Sequence, residues 1–187
     1  MTKPVAVVAA ACRSGGIGFQ NRLPWRLKQE MNYFTRITSQ TKDRSKKNAV
    51  VMGRRTWESI PAKYRPLEDR VNVVLSRSLK EVPSGADLLF SSLQPCLQAL
   101  AREDGIEAVF LIGGQQVYEE AIGSRSCQRI YLTRIDADFE CDTFFPDFDQ
   151  QVYREVALPH VPRELQQENN ITYRFHVYEQ HQDALAS

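Results

Sequence analysis

The chain has 187 residues, of which 42% are hydrophobic and 25% are charged, and its formal net charge is +1. These values are typical of a globular domain. They exclude a disordered chain and a strongly basic protein that binds nucleic acid or acidic membranes through its charge alone. We therefore expect a single domain over residues 1–187, which is long enough to bury a core without disulfide bonds or a structural metal.

The N-terminal apolar run, Val5–Cys12, follows a single lysine, Lys3. Such a run can be the apolar part of a signal peptide, but one lysine is a weak charged region and the run is at the short limit for that role. A buried first strand is the favoured interpretation. No other segment approaches the roughly 18 apolar residues that a membrane helix requires. We therefore expect a cytoplasmic protein with no membrane partner.

Apolar runs of strand length recur along the chain. They are Val5–Ala11, Asn48–Met52, Val71–Leu75, Leu88–Phe90, Ala108–Ile112, Ile130–Thr133, Tyr153–Ala157 and Ile171–Tyr178. The early runs are continuous, which is typical of strands that are covered on both faces. The last two runs show more alternation between apolar and polar residues, and an antiparallel hairpin at the edge of the sheet would explain this pattern.

Helical spacing of apolar residues appears between these strands. The apolar stripes are Leu27, Met31, Phe34 and Ile37; Leu93, Leu97 and Leu100; and Val117, Ala121 and Ile122. Because strands and helices alternate, we predict an α/β fold. It has a central, mainly parallel, twisted sheet of about eight strands with an antiparallel C-terminal edge, flanked by about four helices. The basic run at residues 42–47 and the proline-rich segments Ile60–Pro66 and Leu158–Pro162 are predicted to be surface loops, and the tail from Asp183 is predicted to fray.

The four cysteines, Cys12, Cys96, Cys127 and Cys141, are far apart in the sequence and form no CxxC motif. The three histidines fall late in the chain and show no zinc or triad spacing. We expect free thiols in a reducing compartment and no metal site.

Three of the predicted strands are followed by glycine, hydroxyl or arginine residues. The segments are Gly53-Arg54-Arg55-Thr56, Ser76-Arg77-Ser78 and Gly113-Gly114-Gln115-Gln116. Ligands of parallel sheets bind beyond the carboxyl ends of the strands, where a helix N-terminus favours an anion. Each segment alone is more often a plain turn, but the three together favour a phosphate-rich dinucleotide. The arginines fit the 2′-phosphate of NADP, and neither a Walker A nor a GxGxxG motif is present.

The most informative acidic residue is Glu30, which falls on the same helical face as Leu27, Met31 and Phe34. Since an unpaired carboxylate is costly to bury, spacing alone favours a position at the edge of the stripe that reaches water. The alternative is a carboxylate in a dry cleft. There its pKa would rise, and it could bond the N–H groups of a heterocycle or help to deliver a proton.

The segment that joins the first strand to this helix is rich in glycine and ends in Leu23-Pro24-Trp25. A mobile lid that is anchored at one end fits this pattern. A passive surface loop fits it too, although Trp25 would be unusual on such a loop.

These motifs in this order resemble dihydrofolate reductase, and the match covers nearly the whole chain. The motifs are Gly16-Ile17-Gly18, Leu23-Pro24-Trp25, Glu30, Met52–Pro61, Arg65-Pro66-Leu67, Arg70, Leu75-Ser76-Arg77, Ile112-Gly113-Gly114, Val117-Tyr118, Thr133-Arg134-Ile135 and Asp142–Pro146. The proline-containing loop Ile60–Pro66 is similar to that of the animal enzymes. The resemblance implies a monomer that uses NADPH to reduce dihydrofolate to tetrahydrofolate and that binds folate-like inhibitors.

The resemblance also implies roles for individual residues. Glu30 would bond the 2-amino and ring N–H groups of the pterin and promote protonation at N5, with support from Thr133. Arg70 would hold the α-carboxylate of the glutamate tail through two bonds. Leu23 and Trp25 would close the lid over the nicotinamide.

Two larger sets are implied in the same way. The substrate pocket would be lined by Val8, Ala10, Met31, Phe34, Ser59, Ile60, Leu67, Ile112 and Tyr118. The cofactor site would contain Ala10, Ile17, Gly18, Gly53, Arg54, Arg55, Thr56, Leu75, Ser76, Arg77, Gly113, Gly114, Gln116, Val117 and Tyr118. In the family, the two glycines that correspond to Gly113 and Gly114 are joined by a cis peptide bond.

Several positions depart from the animal pattern and bear on inhibitor selectivity and cofactor affinity. They are Arg22, Met31, Thr35, Ser91 and Gln115-Gln116. Two other functions are the nearest alternatives, namely another reductase of the same fold and a catalytically silent binding module. The pair of Glu30 and Arg70 favours a glutamate-tailed pterin over the first, and Glu30 with a complete lid favours an enzyme over the second.

Overall fold

The computed structural model describes residues 2–181. The strands in this range are β1 (Val5–Ala11), β2 (Gly16–Gly18), β3 (Lys47–Gly53), β4 (Arg70–Leu75), β5 (Leu88–Phe90), β6 (Ile106–Leu111), β7 (Arg129–Ile135), β8 (Thr143–Phe144), β9 (Tyr153–Glu155), β10 (Gln166–Glu168) and β11 (Ile171–Gln180). The helices are α1 (Lys28–Ser39), α2 (Arg54–Ser59), α3 (Leu93–Ala101) and α4 (Gln115–Gly123), with a short 3-10 helix at Ala62–Tyr64. The tail that was predicted to fray, from Asp183, lies outside the described residues.

The main sheet has the order β10-β11-β7-β1-β6-β3-β4-β5, and β9 also pairs with β11. Every pair from β7 to β5 along this path is parallel. The strand β11 is antiparallel to β7, β9 and β10. This arrangement confirms the predicted α/β fold with a mainly parallel sheet and an antiparallel C-terminal edge.

The core lies on both faces of the sheet because side chains alternate along each strand. Val51 and Leu111 face α3 and α4 and pack in one cluster with Leu93. Val50 faces the other side and packs in a second cluster with Tyr33 of α1. The continuous apolar runs are therefore explained by burial on both faces, as predicted.

The buried face of α1 differs from the predicted stripe. Glu30, Tyr33, Ile37 and Thr38 are buried, whereas Met31 is 44% exposed. Of the predicted stripe, Leu27 and Ile37 are buried and Phe34 is half-buried. In the structure, the Tyr33 ring stacks on the Phe175 ring with centroids 3.9 Å apart, and this contact turns the Glu30 side of the helix inward.

The glycine-rich segment between β1 and α1 is held at both ends. Its strand β2 pairs antiparallel with β8, and the Trp25 ring is buried edge-on against the Phe139 ring, with centroids 5.5 Å apart. The strands β2, β8 and β10 have the sequences GIG, TF and QQE, and none of them is an apolar run, so they were not predicted. We call residues 15–25 the lid segment. None of the helices within residues 2–181 has the length and apolar character needed to cross a bilayer.

Replacing Gly16 by alanine is expected to destabilise the protein. A Cβ atom at this position would lie 2.2 Å from the Cys141 Sγ and 2.5 Å from the Cys141 Cβ, so the lid segment and the segment before β8 would have to separate. We expect the free energy of unfolding to fall by about 1–3 kcal/mol in urea denaturation. Gly105→Ala is the matched control, since a Cβ there would meet nothing within 4 Å. Equal stability of the two variants would contradict this packing.

Candidate active site

The carboxyl group of Glu30 is buried between α1 and the sheet, and the residue is only 8% exposed. The Thr133 hydroxyl on β7 donates a hydrogen bond to Glu30 Oε1 at 3.0 Å. Thr133 lies opposite Ala10 of β1 in the sheet, so α1, β1 and β7 meet at this carboxyl group. Spacing alone favoured a water-exposed position for Glu30, and that expectation is wrong. The alternative expectation, that the carboxyl group is buried, is confirmed.

Burial raises the pKa of Glu30 to about 7, against the smaller opposing effect of the Thr133 hydrogen bond. No arginine, lysine or histidine within residues 2–181 forms an ion pair with this carboxylate. The group can therefore take up and release a proton near neutral pH. A buried carboxyl with such a pKa is a frequent feature of acid–base sites.

Tyr118 links α4 to the same region. Its hydroxyl donates to the Val8 carbonyl oxygen at 2.7 Å. Burial raises the pKa of Tyr118 above its ordinary value, and the charge of the nearby Glu30 adds to this effect. The tyrosine therefore stays protonated and holds the start of α4 against β1.

The apolar residues predicted for the substrate pocket are mostly gathered around one cluster. Val8 belongs to the buried cluster, and the partly buried side chains packed against it include Phe34, Ile60, Leu67 and Ile112. Ala10 is partly buried beside the neighbouring cluster that contains Trp25. The structure thus brings together wall residues from β1 and α1, from the residues that directly follow α2 and β6, and from the loop before β4.

Three predicted residues lie apart from these buried clusters. Met31 and Leu23 are 44% and 51% exposed. The Ser59 side chain is exposed, and its hydroxyl donates to the Thr56 carbonyl oxygen at 2.6 Å. The apolar side chains of Met31 and Leu23 are therefore accessible to a ligand, whereas the Ser59 hydroxyl is already engaged by its own helix.

Arg70, at the start of β4, is a buried guanidinium, and the nearby charges of Asp69 and Glu68 partly oppose the effect of its burial on its pKa. The residue is 8% exposed, and within residues 2–181 no carboxylate forms an ion pair with it. Its Nε donates to the Glu68 carbonyl oxygen at 2.8 Å, and its Nη1 donates to the Thr38 hydroxyl at 3.0 Å. Burial lowers the pKa of Arg70. A cation held in this way is suited to binding an anionic ligand.

Thr38 contacts Arg70 and was not among the residues that the sequence analysis singled out. Its hydroxyl accepts from Arg70 and donates to the Phe34 carbonyl oxygen at 2.8 Å. In the sequence, Thr38 lies four residues after Phe34 and eight after Glu30, which places all three on one helical face. This spacing was the signal that could have identified Thr38. That signal is weak, because a threonine on a helix more often bonds only the preceding turn.

The three strand ends predicted to bind phosphates are neighbours in the sheet, since β3 lies between β4 and β6. The Gly53 N–H donates to the Gly113 carbonyl oxygen at 2.9 Å. Gly113 has a φ of +128°, and a Cβ on it would lie 3.3 Å from the Tyr118 hydroxyl and 3.4 Å from Thr56 Oγ1. The Gly113-Gly114 peptide bond is cis, as the resemblance implied. Because Gly113 and Gly114 have no side chains, their backbone is left uncovered beside the Thr56 hydroxyl group.

Arginines surround this glycine surface. Arg54 bonds Glu58 at 2.8 Å and the Ser78 hydroxyl at 3.1 Å. Arg55 and Arg77 are exposed and form no ion pair within residues 2–181. Of the other residues predicted for the cofactor, Val117 is buried, Ile17, Leu75 and Ser76 are partly buried, Gly18 is in β2, and Gln116 is exposed on α4.

Comparison with known proteins gives a consistent result. The family model described as dihydrofolate reductase matches residues 4–180. The dihydrofolate reductase of Heliothis virescens is 48% identical over 92% of this chain and 95% of its own length. That of Drosophila melanogaster is 43% identical over 94% of this chain and 97% of its own length.

A solved structure agrees with these sequence relatives. The dihydrofolate reductase of Schistosoma mansoni superimposes with a TM-score of 0.84 at 38% identity, and the match covers 97% of this chain and 100% of that one. The relatives named here are animal proteins, as the loop Ile60–Pro66 had suggested. The chain therefore belongs to the dihydrofolate reductase family.

Proposed function

We propose that the protein carries out the reaction of its family, the NADPH-dependent reduction of dihydrofolate to tetrahydrofolate, with Glu30 as its acid–base group. The observation that carries this assignment is the buried carboxyl of Glu30, with its pKa near 7 and its single hydrogen bond from Thr133. The titration fits a reaction in which a proton is consumed.

The strand ends fit the binding of NADPH. A side chain on Gly113 would occupy the space against Thr56 and Tyr118, so the bare backbone accepts the close approach of a pyrophosphate. Arg55 and Arg77 are accessible cations for the phosphate groups. When bound, NADPH supplies the hydride that the protein itself cannot provide.

The side chains of the cleft bind the pterin and hold the proton that is transferred to it. Glu30 accepts hydrogen bonds from the pterin N–H groups when it is charged, and it keeps a proton available in the dry cleft when it is neutral. Thr133 fixes the orientation of the carboxyl group through its hydrogen bond. The Trp25 Nε1 is buried and has no hydrogen-bond partner among residues 2–181. Because buried N–H groups are rarely left unbonded, this group is a donor for a bound molecule or for water at the lid.

Arg70 is the group that would recognise the glutamate tail. Two of its nitrogens are committed to Glu68 and Thr38, which leaves the remaining N–H groups of the planar guanidinium for a carboxylate. The buried position strengthens such a bond because water competes less for either partner. A pterin without an acidic tail would leave these N–H groups unused.

The test of this function is the loss of nicotinamide absorbance after reduced protein, NADPH and dihydrofolate are mixed. We expect steady turnover that depends on both ligands. If the protein binds NADPH but leaves dihydrofolate unchanged, the assignment fails. Turnover of a pathway pterin or flavin precursor would then identify another reductase of the same fold, and the absence of any turnover would identify a silent binding module.

Replacing Thr38 by valine is expected to raise the KM for dihydrofolate about 3- to 10-fold, with little change in kcat. Valine has the same shape but cannot accept the Arg70 hydrogen bond, and the loss of one such bond corresponds to about 1 kcal/mol. Steady-state kinetics measure both constants. Ser39→Ala is the matched control, since that hydroxyl bonds only the Thr35 carbonyl oxygen of its own helix. Equal KM values for Thr38→Val and the wild type would contradict the role of Thr38 in positioning Arg70.

We further propose that residues 1–187 form one domain that acts as a monomer in the cytoplasm. One sheet collects strands from Val5 to Gln180, which supports a single folding unit. All four cysteines are free thiols, which supports a reducing compartment. Sedimentation of the purified protein and cell fractionation test these two statements.

A further inference from the structure

Two cysteine thiols meet at the base of the lid segment although they are 129 residues apart in the sequence. The Cys12 and Cys141 Sγ atoms are 3.9 Å apart. Both thiols lie against Gly16, because a Cβ on this glycine would lie 2.2 Å from the Cys141 Sγ and 3.2 Å from the Cys12 Sγ. A disulfide bond requires about 2.05 Å between the sulfur atoms. The two sulfur atoms would therefore have to approach each other by about 1.9 Å to form the bond.

The backbone on both sides of the thiol pair is held in place by hydrogen bonds. The Cys12 N–H donates to the Gly16 carbonyl oxygen at 3.0 Å, and the Asp142 N–H donates to the Gly18 carbonyl oxygen at 2.9 Å. The Phe145 N–H donates to the Gly15 carbonyl oxygen at 2.8 Å. The two cysteines are therefore kept beside each other whenever β2 is paired with β8.

We propose that Cys12 and Cys141 are a redox modification site, at which a peroxide forms a reversible disulfide bond that ties down the lid segment. Cys12 is buried and Cys141 is half-buried, so the oxidant has to be small, and hydrogen peroxide fits this condition. The other two cysteines, Cys96 and Cys127, are both buried and have no cysteine neighbour among the hydrogen-bond contacts of the described residues.

The chemistry takes place in two steps. The Cys12 thiolate attacks one oxygen of hydrogen peroxide, the O–O bond breaks, and sulfenic acid and hydroxide are formed. The Cys141 sulfur then attacks the Cys12 sulfur, the S–O bond breaks, and the disulfide and water are formed. In total, two thiols lose two electrons and two protons, and one peroxide is reduced to two waters.

The environment of the two thiols supports this order of events. Burial raises the pKa of Cys12, but hydrogen bonds from Ser14, Cys141 and the Gly16 backbone outweigh burial, so the net pKa is lowered. Burial and the contact with Cys12 raise the pKa of Cys141 to about 11. Cys12 therefore ionises first and is the nucleophile, while Cys141 keeps its proton until the second step.

The cross-link would join the end of β1 to the residues just before β8, with Gly16 between them. The lid segment would then be unable to separate from β8. If the lid segment opens in each catalytic cycle, the role that its glycine-rich sequence suggested, the cross-link slows turnover. This consequence depends on the proposed function, whereas the formation of the disulfide does not.

The test uses the full-length protein, treated with hydrogen peroxide and then freed of it. We expect a mass loss of two hydrogen atoms, a cross-linked peptide pair containing Cys12 and Cys141, and a several-fold lower kcat that dithiothreitol restores. Cys12→Ser and Cys141→Ser are expected to keep the activity of the reduced protein and to lose the response to peroxide. Cys96→Ala is the control that keeps the response.

The possible failures are distinct from one another. Oxidation of single thiols without the cross-linked peptide would overturn the modification site. A cross-link that leaves kcat unchanged would overturn the restraint on the lid. A reduced protein that does not consume dihydrofolate would overturn the proposed function, and the mass and peptide measurements would still decide whether the disulfide forms.

Discussion

Replacing Glu30 by glutamine is expected to lower kcat at neutral pH by roughly 10²–10⁴-fold, the usual contribution of one acid–base group. Glutamine keeps the shape of the side chain and can still accept the Thr133 hydrogen bond, but it cannot hold a transferable proton. In the wild type, burial places the pKa of Glu30 at about 7, so the neutral form dominates below that pH. We therefore expect the kcat of the wild type to fall as the pH rises through about 7. The pH profile of Glu30→Gln should show no such fall centred near pH 7.

The measurement is the pH profile of kcat for both proteins. Glutamine at position 30 should leave a rate that rises steadily as the solution becomes more acidic, because the proton then has to come from solvent. Glu107→Gln is the matched control. Glu107 accepts hydrogen bonds only from the backbone N–H groups of Lys42 and Asp43. If the Glu30 variant kept wild-type kcat and its pH profile, Glu30 would not be the acid–base group.

The same variant is expected to change the pH dependence of stability. The folded-state pKa of Glu30, about 7, is raised above the ordinary value of 4.5. Its favourable contribution is therefore fully present below about pH 4.5 and is lost as the pH rises through about 7, with a total change of about 3 kcal/mol. We expect the stability of the variant, relative to the wild type, to increase between about pH 5 and pH 8 in urea denaturation. A constant difference across this range would show that Glu30 has an ordinary pKa in the folded protein.

Replacing Arg70 by lysine is expected to raise the KM for dihydrofolate about 10- to 100-fold, with kcat at saturation and NADPH binding little changed. Lysine keeps the positive charge but loses the planar pair of donors, and hydrogen bonds to charged groups are worth about 1.5–3 kcal/mol. A shorter ammonium also cannot reach both the Glu68 carbonyl oxygen and the Thr38 hydroxyl, which now position the guanidinium. Steady-state kinetics and a separate NADPH titration measure these quantities.

A dihydropterin that lacks the glutamate tail gives the sharper comparison. The wild type and Arg70→Lys should reduce it with equal kcat/KM, because neither can use residue 70 to bind it. Arg129→Lys is the control variant, since Arg129 pairs with Glu179 and hydrogen-bonds Tyr131. An equal loss of kcat/KM on both substrates would mean that Arg70 supports the fold of the cleft and does not recognise the tail.

Much of the fold could be predicted because the relevant information is local. Continuous apolar runs such as Val5–Ala11 and Leu88–Phe90 predicted strands with the same bounds as those observed. The residues at the ends of the strands, such as Gly53 and Gly113, were predicted to lie together, since the carboxyl ends of parallel strands lie at one edge. The binding of phosphates there stays a prediction. The sequence motifs also indicated the family, which the comparisons confirmed.

Other features depend on contacts between distant parts of the chain. The spacing around Glu30 favoured a water-exposed position. Its burial follows from the docking of α1 through Tyr33 and from Thr133, which is 103 residues away. The Thr38 bond to Arg70 and the contact of Cys12 with Cys141 span 32 and 129 residues. Local periodicity describes which face of one element is apolar, and it contains no information about the partner that this face will meet.

By itself, the amino-acid sequence determined those strands of the main sheet that are apolar runs, and the order of the strand ends that carry glycine, hydroxyl and arginine residues. Its resemblance to the family implied the roles of Glu30 and Arg70. Only the tertiary structure decided that Glu30 is dry, that Arg70 is oriented by a threonine, and that two thiols meet below the lid segment. The physical reason is that burial and the pKa of a group depend on every element packed around it. Those neighbours are set by the order of strands in the sheet, which brings β7 and β8 beside residues near the N-terminus.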